Sequence, residues 1–262
     1  MAEWDPVQYQ RFRVQRSQPF WDLIDLIEPD RFERAVDLGC GTGALTAAAA
    51  ERLEVAHMLG IDSSLSMLAA AGAIDSLRVT FGEGDIGSWT GQGDHDLVLA
   101  NASLQWVGDH PTVLARWVAA LRPAGQIAVQ VPANHDHHSH LASAYVATLE
   151  PFASAMGGDP PADPVAANVL APEHYSTVLY ELGIERPHVR LQVYPHLMPC
   201  SSSVVEWTKG TSLIRFFERL PAELHEPFVD AYRTELLARI GDHEPYLFAF
   251  KRILMWGRLT RA

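Results

Sequence analysis

Apolar residues at Tyr9, Phe12, Phe20, Leu23, Ile24 and Ile27 recur at helical spacing, and Pro19 marks a point where this helix can divide in two. ERAVDLG, from Glu33, predicts a short strand running into a glycine-rich loop, and Ala44 to Leu53 predicts a helix behind it. VAHMLGID ends a second strand at Asp62, after which Ser63 or Ser64 caps a helix carrying Met67 and Leu68. LRVTFGEGDI predicts a third strand ending near Asp85. DLVLANASLQW, from Asp96, predicts a buried fourth strand that breaks into a polar turn at Asn101. HPTVLARWVAALRPAG reads as an amphipathic helix closed by Pro123 and Gly125, and QIAVQVP as a fifth strand.

After Pro132 the alternation breaks. His140 to Met156 reads as helix, GGDPPADP from Gly157 as a hinge rich in breakers, and Glu173 to Leu182 as helix again. HVRLQVYPHLM predicts a sixth strand, Ser201 to Ile240 is mostly helical, and YLFAFKRILMWGRL predicts a long terminal strand. Strands alternating with helices imply an α/β fold: a Rossmann-like, mostly parallel seven-stranded sheet with helices on both faces. The expected organisation is a single domain over residues 1–262. Its core covers about 34–132, 171–198 and 246–260, with a helical cover from 1–30, 134–170 and 201–242.

Composition narrows the partners. With 262 residues, 48% of them hydrophobic, the chain can fill a two-layer or three-layer core. No apolar run reaches the length of a membrane span, and the first residues lack the basic and apolar regions of a secretory signal. The expectation is a cytoplasmic protein without a membrane partner. A formal charge of −12 repels phosphate backbones and argues against nucleic acid. Lys209 and Lys251 are the only lysines, so an anion held by a basic side chain meets mostly arginine forks. Cys40 and Cys200 are expected as two reduced thiols.

Candidate chemistry centres on AVDLGCGTGALT. Gly39-x-Gly41-x-x-Ala44 fits a dinucleotide fingerprint, and Gly39-x-Gly41-x-Gly43 fits a loop for S-adenosylmethionine. Asp62, 19 positions after Gly43, closes the second strand, where a carboxylate accepts from ribose hydroxyls in either case. Asp37 tips the balance toward the sulfonium compound, because its charge repels a pyrophosphate and attracts a methionyl ammonium. Asp85 and Ile86 follow the third strand, where a carboxylate meets an adenine amine and an aliphatic chain packs on its ring. The run Asn134 to His140 is crowded with His135, Asp136, His137, His138 and His140, yet its spacing suits no zinc site and no metal is expected. An imidazole there can orient an acceptor or serve as a base for a hydroxyl.

With these residues in view, the chain resembles the class I S-adenosylmethionine-dependent methyltransferases, and more narrowly the trans-aconitate 2-methyltransferase family. The matching segments are WDPVQYQRF, VDLGCGTG, GIDSSLSML, ANASLQWVGDHPTVL, AVQVPANHDHHSH and VVEWTKGTSL. The resemblance implies methylation of a carboxylate of a small polycarboxylic acid. It implies a cofactor site lined by Asp37, Gly39, Cys40, Gly41 and Gly43, by Asp62, Ser63 and Met67, and by Asp85, Ile86, Asn101 and Gln105. For the acceptor it points to Tyr9, Arg16, Trp106, Asn134, His135, Trp207, Lys209 and Arg252, with Arg215 a further cation. A carboxylate is already ionised at neutral pH, so no general base is required, and His135 and Trp106 are candidates for orienting the acceptor. Departures from the family pattern fall outside the glycine loop. Gln18 stands where an arginine is expected, the arginine after the K-G-T element is missing or displaced by one position to Arg215, the terminal strand reads Phe248-Ala249-Phe250-Lys251-Arg252, and His135 replaces an aromatic residue. These bear on the acceptor, and leave open another small-molecule carboxylate or hydroxyl. A dehydrogenase using NAD and a regulatory binder of the same cofactor are the rival classes.

Overall fold

A computed structural model describes residues 13–260, with side chains from Ser17 onward. Helix α1 (Arg13–Ile24) precedes β1 (Arg34–Leu38), α2 (Ala44–Arg52), β2 (His57–Asp62), α3 (Leu65–Ala71), β3 (Val79–Glu83) and β4 (His95–Asn101). A 3-10 turn (Leu104–Trp106) leads to α4 (His110–Ala119) and β5 (Leu121–Pro132). Then come α5 (His138–Val146), α6 (Phe152–Ala155), α7 (Pro164–Asn168), α8 (Pro172–Glu181) and β6 (Ile184–Met198). Helices α9 (Ser203–Lys209), α10 (Ile214–Phe217) and α11 (His225–Ile240) precede β7 (Tyr246–Leu259). None of the described helices is long and apolar enough to cross a membrane.

The strands form one seven-stranded sheet in the order β3-β2-β1-β4-β5-β7-β6. The pairs β1–β2, β2–β3, β1–β4 and β4–β5 are parallel, and β7 runs antiparallel to β5. The chain leaves β1 toward β2 and β3, then returns to place β4 on the other side of β1. The order reverses there, which opens a crevice at the carboxyl ends of β1 and β4. Both strands are buried on both faces, as central parallel strands require, and Leu97 to Ala100 has no exposed position. Asp96 fixes the entry to β1: its Oδ2 accepts the N–H groups of Glu33 and Arg34 at 2.7 and 2.8 Å, and Arg122 pairs with its carboxylate.

Tertiary contacts divide the chain into two compact units. Of the described residues, the sheet unit comprises 16–132, 168–192 and 252–260, and the helical unit 13–15, 133–167 and 193–251. Residues 16–30, which the sequence pattern groups with the cover, thus fall with the sheet. Phe20, Leu23, Ile24 and Ile27 are buried along this stretch. The helical unit has its own core, in which Phe228 packs edge-on to Phe152 at 5.2 Å and beside Phe216 at 4.9 Å. Trp207, Phe248 and Phe250 form a second aromatic group in that core.

Three elements differ from expectation. Helix α1 runs unbroken through Pro19, because the ring removes only one ladder bond while Phe20, Leu23 and Ile24 are buried just beyond it. LRPAG is not a helix end but the start of β5: Leu121 pairs with His95, and the chain then bulges until Gln126 pairs with Leu97. The helix expected from His140 to Met156 is two helices, α5 and α6, which end and begin on either side of Pro151.

Phe228→Ala removes the ring shared by Phe152 and Phe216, and is expected to cost about 3–5 kcal/mol in chemical denaturation. Leu247→Ala, at a side chain 60% exposed, is expected to stay within about 0.5 kcal/mol of the parent.

Candidate functional site

The glycine loop lies at the carboxyl end of β1, tied to the end of β2. The N–H groups of Gly39 and Cys40 both donate to the Ile61 carbonyl, at 2.8 and 3.0 Å. Asp62 completes the junction: its Oδ2 accepts the Gly41 N–H at 2.8 Å and its Oδ1 the Ser64 N–H at 2.9 Å. Each of these oxygens keeps a lone pair for a ligand hydroxyl. Gly39 and Gly41 both have positive φ, but for different ends. A Cβ on Gly39 would lie 2.2 Å from Cβ of Ser103, so the segment after β4 closes over that glycine. A Cβ on Gly41 would meet nothing within 4 Å, which leaves open space where a ligand can approach the backbone.

Asp37 is the unusual group. It is 3% exposed inside a strand of apolar neighbours. Thr46, in the first turn of α2, donates to its Oδ2 at 2.6 Å, while Oδ1 is buried without a partner. Burial raises its carboxyl to about 6, against the opposing effect of the Thr46 bond, with nearby Asp62 adding to the rise. Cys40 is buried as well, and that burial, with the charges of Asp37 and Asp62, pushes its thiol up so that it stays protonated. Cys40 and Cys200 are both free thiols.

The other cofactor candidates fall around this junction in several ways. Ser64, not Ser63, caps α3, accepting from the Met67 N–H at 3.4 Å; Ser63 is exposed and Met67 buried. Asp85 is exposed and accepts the Gly87 N–H at 2.9 Å, and the Ile86 carbonyl accepts from Trp117 Nε1 at 3.1 Å. Asn101 ends β4, and its Oδ1 accepts from Gln130 Nε2 at 2.7 Å. Gln105 is buried, donates to the Ala102 carbonyl at 2.7 Å, and leaves its Oε1 buried without a partner. Ser103, not singled out from the sequence, donates to the Leu38 carbonyl at 2.5 Å and so joins the turn after β4 to the end of β1.

The acceptor candidates are placed less uniformly. Tyr9 lies outside the described residues, and of Arg16 only the helical backbone is described. Trp106 is 47% exposed on the 3-10 turn. Arg252 is buried and donates from Nη1 to Gln130 Oε1 at 3.1 Å. In the helical unit, Asn134 is buried and its Oδ1 accepts the Lys251 N–H, so it anchors the chain beyond β5 to β7. His135 is exposed, and Lys209 Nζ lies 3.9 Å from Glu226. Trp207 is a core residue, stacked on His196 at 5.3 Å and packed on Phe248 and Phe250.

The histidine run is absorbed by local structure. His137 caps α5 through Nδ1, which accepts the Ser139 N–H at 3.0 Å. Burial, with the neighbouring His140 and His138, lowers it to about 4, so it is neutral at physiological pH. His140 bonds Asp163, which also lies 3.6 Å from the buried Arg215. Burial pushes Asp163 up, but these two partners outweigh it and hold the carboxyl at about 2. Among the described residues no three His, Cys, Asp or Glu side chains are arranged to hold a metal ion.

Comparison with known proteins agrees with this frame. The methyltransferase domain family matches residues 35–125. A trans-aconitate 2-methyltransferase of Deinococcus radiodurans is 42% identical over 253 residues, 96% of each chain. Another, of Delftia acidovorans, is 36% identical over 97% of this chain and 98% of its own. Among solved structures, a Haemonchus contortus phosphoethanolamine N-methyltransferase 2 in complex with S-adenosylhomocysteine superposes with a TM-score of 0.59. It is 16% identical, covering 94% of this chain and 53% of that one, and so shares the fold. With near-full-length identity well above 30%, the chain belongs to the trans-aconitate 2-methyltransferase family.

Proposed function

We propose that the protein is an S-adenosylmethionine-dependent O-methyltransferase that esterifies one carboxylate of trans-aconitate. The observation that carries the cofactor reading is the pair at the end of β1: a buried Asp37 with an unclaimed Oδ1, and open space above Gly41. The open space lets either ligand approach the backbone closely, and the Asp37 carboxylate decides between them: it attracts a methionyl ammonium and repels a pyrophosphate. The acceptor reading rests on the full-length likeness to enzymes named for trans-aconitate.

The bound cofactor supplies a methyl group on a sulfonium, open to displacement by an oxygen nucleophile. Asp37 holds the ammonium end, Asp62 accepts from the ribose hydroxyls, and Asp85 with Ile86 receives the adenine. The acceptor carboxylate, with a free pKa near ~4, needs no proton removed. The chain's task is to align it and to neutralise the remaining carboxylates. Lys209 suits the second role, because its long pair with an exposed Glu226 is worth at most about 1 kcal/mol and is readily exchanged. Arg16 is the further candidate. Alignment alone can lower such a barrier by roughly 7–11 kcal/mol. Incubation with the methyl donor and a panel of aconitates, citrate and simple alcohols tests the assignment. A monomethyl ester of trans-aconitate is expected, and turnover of alcohols alone would overturn it.

Gly41→Ala is expected to fold with a loss of only about 1–2 kcal/mol, the strain of a side chain at positive φ, while cofactor affinity collapses in a titration with S-adenosylhomocysteine. Gly39→Ala instead drives into Ser103 and should lower the melting temperature itself.

Asp37 links stability to pH. Its carboxyl titrates at about 6 in the folded protein against 3.8 unperturbed, so between these values the folded state binds more protons. Its stabilising contribution is therefore complete below about pH 3.8 and is lost as pH rises through about 6. Ligand-free Asp37→Asn should match the parent at pH 3.5 and exceed it by about 2–3 kcal/mol at pH 8 in denaturant titrations. Parent affinity for S-adenosylhomocysteine should rise through pH 6, and the variant's should stay weak throughout.

A further inference from the structure

Three side chains of the sheet unit form a hydrogen-bonded line that ends at the crevice: Arg252 on β7, Gln130 on β5 and Asn101 at the tip of β4. Gln130 and Asn101 are register partners, and Arg252 sits opposite Pro132, two residues along. Arg252 and Gln130 are buried, at 8% and 1% exposure, and Asn101 is half-buried. Arg252 Nη1 reaches Gln130 Oε1 at 3.1 Å, and Gln130 Nε2 reaches Asn101 Oδ1 at 2.7 Å.

The chemistry of this line gives it a direction. A guanidinium has donors only, so the oxygen of Gln130 must face Arg252. Its NH2 group then faces Asn101, which must answer with its own oxygen. The amide nitrogen of Asn101 is left over, with no partner among the described residues. Asn101 ends the strand beside β1, and two residues later Ser103 closes over Gly39, so this nitrogen belongs to the switch point of the sheet.

We propose that Arg252 and Gln130 are positioning residues that lock Asn101 with its amide N–H outward, making it a carboxylate receptor at the crevice. This rests on the glycine loop being the cofactor site. The carboxylate belongs either to the methionyl end of the cofactor or to the acceptor, and the experiment separates them. An ordinary asparagine is free to turn over and offer its carbonyl, which would repel either group. The line from Arg252 removes that choice.

Gln130→Glu is nearly isosteric and keeps the partner of Arg252, but it cannot donate. Asn101 must then turn its nitrogen inward and present oxygen to the ligand. If the receptor serves the cofactor, affinity for S-adenosylhomocysteine falls about 10- to 100-fold while affinity for 5′-methylthioadenosine, which lacks the carboxylate, is unchanged. If it serves the acceptor, both titrations match the parent and KM for trans-aconitate rises about 10- to 100-fold at constant kcat. Asn101→Asp, which exchanges donor for acceptor without touching the two buried residues, should reproduce whichever pattern appears. Arg252→Lys, still a donor-only cation, should lie closer to the parent than Arg252→Met. Folded Gln130→Glu and Asn101→Asp with unchanged titrations and unchanged KM would overturn the proposal. A parent protein that binds no S-adenosylhomocysteine would overturn the cofactor reading beneath it, and is measured first.

Discussion

A carboxylate inside a hydrophobic strand is costly, and Asp37 is held there by the geometry around it. Thr46 satisfies one oxygen, and the rest of the desolvation is left standing. The arrangement works because β1 is central: Val36 and Leu38 on either side of Asp37 are wholly buried, and the strand pairs with β2 on one side and β4 on the other. The loop that follows can turn sharply and stay open because Ile61 and Asp62 receive its N–H groups. A ligand that brings a positive charge to Asp37 relieves strain the folded chain already carries. Binding and stability are therefore coupled through a single residue.

The same economy appears at β4. Its apolar run brings the chain to the crevice, and the polar residues that follow divide the labour there. Ser103 joins the turn to Leu38, Gln105 binds back to Ala102, and Asn101 is held from β5. Residues two strands away thus act on the crevice without lining it.

Much of this was legible in sequence because it is local. Alternating strands and helices, the glycines and the acidic strand ends lie within short windows, and the sheet follows from them. What failed to show was set by distant partners. LRPAG starts β5 because Leu121 pairs with His95 and Arg122 meets Asp96, neither visible from the segment. Arg252 suggests an anion partner by type, but its bond to Gln130 spans 122 positions. Trp207 suits a pocket wall equally well, and burial among Phe248 and Phe250 places it in a core. Thr46 carried a faint signal, a hydroxyl in the first turn of the helix after an acidic strand end.

The two compact units are threaded through one another along the chain: neither is a continuous stretch, and the peptide passes from one to the other after residues 15, 132, 167, 192 and 251. On the ribosome, therefore, neither half can finish assembling ahead of the other. The helical unit waits for Phe248 and Phe250, and the sheet waits for the strand partner of β5 that follows directly. The two units are therefore completed almost together, and no single internal cut releases either one as an intact fragment.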